Sequence, residues 1–167
     1  MSIWWSLHLR REAASVPLAR RLLLGTMETA GIDPDVSHDL SVALSEACAN
    51  AVEHGGDRAA EDYRVTAFIN GDRCRIEVAD SGPGFQERSR APGRSGRPGR
   101  NTHPTEPAPR AQTPAPAPAP AEHGRGLFLI EALTDHVRYR NRSGRRGAVV
   151  SFDKILKWRE DAPLMAS

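Results

Sequence analysis

Glu46-Ala-Cys-Ala-Asn50-Ala-Val-Glu-His54-Gly55 is the stretch on which the reading of this chain turns. It closes a helical pattern that Asp33-Pro34-Asp35 opens and Gly55-Gly56 ends. The apolar positions Leu40, Leu44, Ala47, Cys48 and Ala51 recur at spacings of three and four, which is one helix face. Glu46, Asn50 and His54 fall on a neighbouring stripe, one turn apart. The helix therefore packs on a sheet by one side and carries three polar groups beside that contact. Small residues at Ala47, Cys48, Ala49 and Ala51 leave room for a ligand against it.

Working outward, Ile3, Trp5, Leu7 and Leu9 alternate with polar or oppositely facing neighbours, a period of two that predicts a strand. Ser15 precedes Val16-Pro17 as an N-cap with proline in the first turn. The helix that follows runs through Leu18, Leu22, Leu23 and Met27 and stops at Gly31. Tyr63 to Ile69 reads as a strand, Asn70-Gly71 as a hairpin turn, and Cys74, Ile76 and Val78 as the inward residues of the next strand. Gly124 to Thr134 reads as a helix with Leu127, Ile130 and Leu133 inward. Val137 to Arg140 and Ala148 to Phe152 form a terminal hairpin. The expected fold is α+β: a two-layer sandwich with a mainly antiparallel (mixed) sheet and helices on one face.

Residues 86–122 break this pattern. Proline, alanine, glycine and arginine dominate, ending in Thr113-Pro-Ala-Pro-Ala-Pro-Ala-Pro-Ala-Glu122. No apolar periodicity offsets an ordering entropy of roughly 1–2 kcal/mol per residue. The expectation is a disordered insertion within one domain over 1–159, followed by a tail at 160–167. It lies where a mobile cover over a ligand is tolerated.

The 167 residues carry a formal charge of +2, with arginine clustered in the insertion and again over Arg138 to Arg146. Neither cluster is interleaved with several aromatics, so direct nucleic-acid binding is not expected. The N-terminus has no basic n-region and the chain no long apolar run, so neither signal peptide nor membrane span is expected. Cys48 and Cys74 lack metal-ligand spacing and read as free buried thiols, in keeping with a reducing cytoplasm.

Three motifs carry chemistry. Glu46 and Asn50 project from one helix face. An amide oxygen suits Mg²⁺, which takes its remaining ligands from water and phosphates. A carboxylate one turn away can accept a proton or orient a hydroxyl or water for attack. Asp80-Ser81-Gly82-Pro83-Gly84-Phe85 puts a carboxylate at a strand end, able to accept from an exocyclic amine such as that of adenine. Gly82 and Gly84 let backbone approach a flat ring. His123-Gly124-Arg125-Gly126-Leu127 opens a helix whose free N–H groups favour phosphate oxygens. His123 and Arg125 either add positive charge there or are solvated neighbours.

In this order the motifs resemble those of the GHKL ATPase superfamily, and within it the serine/threonine-kinase anti-sigma factors of bacteria. Glu46-x-x-x-Asn50 matches the N box, Asp80-x-Gly82-x-Gly84 the G1 box and Gly124-x-Gly126-Leu127 the G2 box. The resemblance covers the chain from the first strand to Phe152 and implies a Bergerat-type ATP-binding fold. It implies ATP and Mg²⁺ as cofactors, with Asn50 on the metal, Glu46 as base toward a protein serine, Asp80 on the adenine amino group and Gly124 and Gly126 on the phosphates. It further implies a sigma factor and a STAS-type anti-sigma-factor antagonist as partners, and a homodimer. Two departures stand out. Gly147-Ala148 replaces the family's Gly-Thr, removing a hydroxyl beside the base-binding carboxylate, and the insertion is longer and richer in proline than an ordered ATP lid.

Overall fold

The computed structural model describes residues 2–54, 62–80, 122–142 and 147–162, with backbone alone at 54 and 122–124. In chain order the elements are β1 (Ser2–Arg10), α1 (Ser15–Ala30), α2 (Pro34–His54), β2 (Asp62–Asn70), β3 (Arg73–Ala79), α3 (Glu122–Leu133), β4 (His136–Asn141) and β5 (Ala148–Ile155). The strands form one sheet in the order β1-β2-β3-β5-β4. Every pairing is antiparallel, so the mixed component expected from the sequence is absent among the described residues.

The period-two pattern fixes which face of the sheet is dry. Tyr63, Val65, Ala67 and Ile69 of β2 and Cys74, Ile76 and Val78 of β3 are buried against the helices. Leu23 and Met27 of α1, Leu40, Leu44 and Cys48 of α2, Ile130 of α3 and Phe152 of β5 close the same core. Each large apolar side chain taken fully out of water contributes about 1.5–3 kcal/mol. Strand β5 lies between β3 and β4 and is buried on both faces. Its Asp153, on the face away from the helices, is held by Arg73 Nη1 and His136 Nδ1, each 2.9 Å from Oδ1.

Helix boundaries show where local signals lost to packing. Ser15 is the first residue of α1, not its cap; Ala14 holds the N-cap position in αR geometry without a side-chain bond. The Ser15 hydroxyl is buried instead against Tyr63 Oη at 2.7 Å and donates to the Glu12 carbonyl. The buried stripe of α1 is Ser15, Ala19, Leu23, Met27 and Ala30, while Leu18 and Leu22 face outward, 57% and 38% exposed. With Ile3 of β1, Leu18 and Leu22 line an open surface groove along α1. Gly31 ends α1 in the left-handed region, φ 84°, and donates its N–H to the Glu28 carbonyl, as expected of a glycine at C′. Asp33 opens α2 by accepting from the Asp35 N–H at 2.8 Å, with Pro34 at the first helical position. The β2–β3 turn is Gly71-Asp72, with Gly71 at φ 58°, one residue beyond the Asn-Gly signal.

Candidate nucleotide site

Helix α2 crosses the dry face of the sheet with Ala47, Cys48 and Ala51 buried beneath it. That orientation leaves Glu46 and Asn50 half-buried on its flank, on the side where α3 packs. Gly126 of α3 meets them there. A Cβ built on Gly126 would stand 2.9 Å from Glu46 Oε2 and 3.5 Å from Asn50 Oδ1. Two oxygen-bearing side chains of one helix thus converge on a single backbone point of another.

The seat of α3 is set at both ends. Lys154 of β5 donates to the Leu133 carbonyl at 2.9 Å and pairs with Asp39 of α2 at 3.3 Å. It caps the C-terminus of α3 and ties it to α2, a favourable place for a cation. Ile130 is fully buried in the middle, and Gly126 closes the approach to α2 near the start. Helix α3 begins at Glu122, two residues earlier than expected, so Gly124 and Gly126 lie inside it. Arg125 is exposed and Leu127 half-buried.

The α2 helix is anchored from behind as well. Cys48 is fully buried and hydrogen-bonds Tyr63, which in turn meets Ser15. Burial pushes the Cys48 thiol up from 9.0 to about 12, with the Tyr63 hydrogen bond opposing the shift in part. Burial, reinforced by Asp153, likewise pushes Cys74 up to about 12. Both thiols are free and buried, as expected, and neither is a nucleophile at neutral pH.

Asp80 follows the last residue of β3 and is clamped by the start of β5. Its N–H donates to the Ala148 carbonyl at 3.0 Å, and its carboxylate Oδ1 accepts from the Ala148 N–H at 3.1 Å. Gly147 sits at φ 139°, and a Cβ there would collide with the Asp80 carbonyl oxygen. Arg142 closes the same loop by donating its N–H to the Gly147 carbonyl at 3.0 Å. The missing threonine hydroxyl therefore leaves Asp80 with a backbone donor, which residue 148 supplies whatever its side chain. Sequence reasoning missed this clamp because a main-chain N–H carries no residue signature.

Of the residues singled out from sequence, Glu46, Asn50 and Gly126 form one cluster, and Asp80 with Gly147 and Ala148 a second. Gly82, Gly84 and nearly all of the insertion lie outside the described residues, as does the side chain of His123. Among the described residues no group of three or more His, Cys, Asp or Glu side chains could hold a metal by itself. The Asn50 amide oxygen, half-buried on the α2 flank, is a hard neutral donor of the kind that fits Mg²⁺ completed by phosphates and water.

The antiparallel sheet thus carries its helices on one face, with the polar flank of α2 against a glycine of α3. The model of the histidine kinase-like ATPase domain matches residues 9–154, and the chain belongs to that family. It is 34% identical over 134 residues to the serine-protein kinase RsbW of Oceanobacillus iheyensis, covering 77% of this chain and 73% of that protein. It is 30% identical over 139 residues to RsbW of Bacillus subtilis, covering 82% and 78%. The fold is also that of a crystal structure of the RsbU and RsbW domains of Rv1364c from Mycobacterium tuberculosis. The TM-score there is 0.61 at 19% identity, over 93% of this chain and 32% of that one. No helix among the described residues is long and apolar enough to cross a membrane.

Proposed function

We propose that the chain is an ATP-dependent serine protein kinase of the anti-sigma type. The observation that carries this reading is the convergence of Glu46 and Asn50 on Gly126 at the approach of α3 to α2, in a chain related to RsbW kinases. Asn50 would supply a protein ligand to Mg²⁺. The bound ion would neutralise charge on the transferring phosphoryl group. Glu46 would take the proton of a partner's serine hydroxyl as its oxygen bonds to the γ-phosphorus and ADP leaves with the cleaved bond's electrons. Asp80, oriented by the Ala148 N–H, would accept from the adenine amino group. Gly82 and Gly84 would line the base. The opening N–H groups of α3 would face the phosphates, with His123, Arg125 and Leu127 at the same corner.

The partners of this reading are a sigma factor, sequestered in the cytoplasm, and a STAS-type antagonist bearing the serine. Unphosphorylated antagonist would compete for the kinase and release the sigma factor, and the working form would be a homodimer. Incubation of the purified chain with labelled MgATP and candidate antagonists tests the reading. Acid-stable phosphate on serine is the expected result. Nucleotide retained with no transfer would establish instead a nucleotide-binding interaction module.

A further inference from the structure

We infer that Gly126 is a positioning residue for Glu46, and that the space left by its missing side chain, rather than its N–H, is what the site uses. The inference rests on the kinase reading of Glu46.

Helix geometry separates the two roles. Only the first four N–H groups of a helix lack an internal acceptor. With α3 starting at Glu122, the N–H of Gly126 lies in register with the Glu122 carbonyl, four residues back, inside the ladder. A phosphate at this end would be met by the N–H groups ahead of Gly126. What Gly126 contributes is contact: it is buried, and a methyl group on it would lie 2.9 Å from Glu46 Oε2, closer than a Cβ sits to an oxygen. Asn50 Oδ1 and Nδ2, at 3.5 and 3.7 Å, would be in ordinary contact.

The group that must yield is therefore the end of the Glu46 side chain, not backbone. A carboxylate end swings at small cost in stability, so an added methyl moves the base without unfolding the helix. Alanine is also the better helix former. The chemistry is less forgiving. A general base works within about 2.6–3.2 Å of the proton it takes. Misplacement by about 1 Å costs about a hundredfold in rate. Because α3 follows directly on residues 86–121 and its start is the proposed phosphate end, whatever shifts α3 shifts this contact.

The test is Gly126→Ala, Glu46→Asp and the double variant in the full chain, assayed for MgATP affinity and for transfer to the antagonist's serine. Gly126→Ala is expected to keep its melting temperature, to bind MgATP within about threefold of the parent, and to lose at least about tenfold in kcat. The shorter aspartate leaves room for the methyl, so the two losses should not multiply: the double variant should be at least about threefold faster than the product of the two single effects. The Glu46 side-chain carboxyl carbon resonance, read without nucleotide, should move in Gly126→Ala. An unmoved resonance, or a double variant no faster than the product of the two single effects, overturns the inference. So does loss of MgATP affinity with kcat at saturation unchanged, which would return Gly126 to the phosphates. Full transfer by Glu46→Ala, or no transfer by the parent protein, would instead remove the kinase reading and this inference together.

Discussion

The two halves of the candidate site are held in different ways. Asp80 is fixed by main chain: its N–H and its carboxylate both bond residue 148, and Gly147 presses against its carbonyl. Glu46 and Asn50 are placed by side-chain packing between helices, with Gly126 leaving the gap into which they reach. A backbone clamp tolerates changes of side chain and punishes changes of backbone freedom. A packed gap does the reverse. The reading end of the site should thus be robust in sequence but brittle at one glycine, and the reacting end should respond to single methyl groups.

The largest effect tests the reacting end. Glu46→Gln keeps the size of the side chain and removes the proposed base, and transfer to serine should fall about 10²- to 10⁴-fold with MgATP affinity little changed, by single-turnover kinetics against equilibrium binding. Equal losses of affinity and rate would show that Glu46 shapes the pocket rather than the reaction.

Asp80→Ala should weaken ATP by about 10- to 100-fold, the worth of a hydrogen bond to a charged group, while kcat at saturation stays near that of the parent. Calorimetric titration with ATP and with a purine triphosphate lacking the amino group checks it, since the variant should no longer distinguish the two. Gly147→Ala should be the costliest change in stability, by about 2 kcal/mol or more, because a residue with a Cβ is strained at φ 139° and collides with the Asp80 carbonyl. Urea unfolding with an unchanged slope would measure it.

Two smaller effects refine the comparison. Ala148→Thr adds a hydroxyl to a clamp that already has its N–H donor, so ATP affinity should rise by no more than about tenfold. A larger gain would mean that the backbone bond is not what orients Asp80. Behind the reacting end, Cys48 has a folded pKa of about 12 against 9.0 for an unperturbed thiol. The thiol is neutral in both states below pH 9, so its contribution is complete there. It is lost as pH rises toward 12, because only the unfolded thiol ionises in that window. Unfolding followed from pH 8 to 11 should show stability falling in the parent and falling less in Cys48→Ala, measured against each protein's own value at pH 8.

How much of this was legible in the sequence depended on the range of the interaction. The α2 face, the Gly31 stop and the alternation of β2 and β3 are local, and spacing alone carried them. Ser15 does not cap α1 because Tyr63, 48 residues away, engages its hydroxyl. Leu18 and Leu22 share the helical pattern of Leu23 and Met27 yet face outward, and the smaller Ala19 is what fits beneath α1. The hydroxyl missing at Ala148 is a side-chain feature, whereas the clamp on Asp80 is made with the main chain of residue 148.

The sequence by itself determined the elements, their amphipathic faces and the Glu46–Asn50 pair, since these follow from periods of two and 3.6 residues that any short window displays. Only the tertiary structure decided that Gly126 lies against that pair and that residues 147 and 148 grip Asp80. Both contacts join segments separated by more than 60 residues, and both use the absence of a side chain or a main-chain donor, neither of which leaves a pattern along the chain.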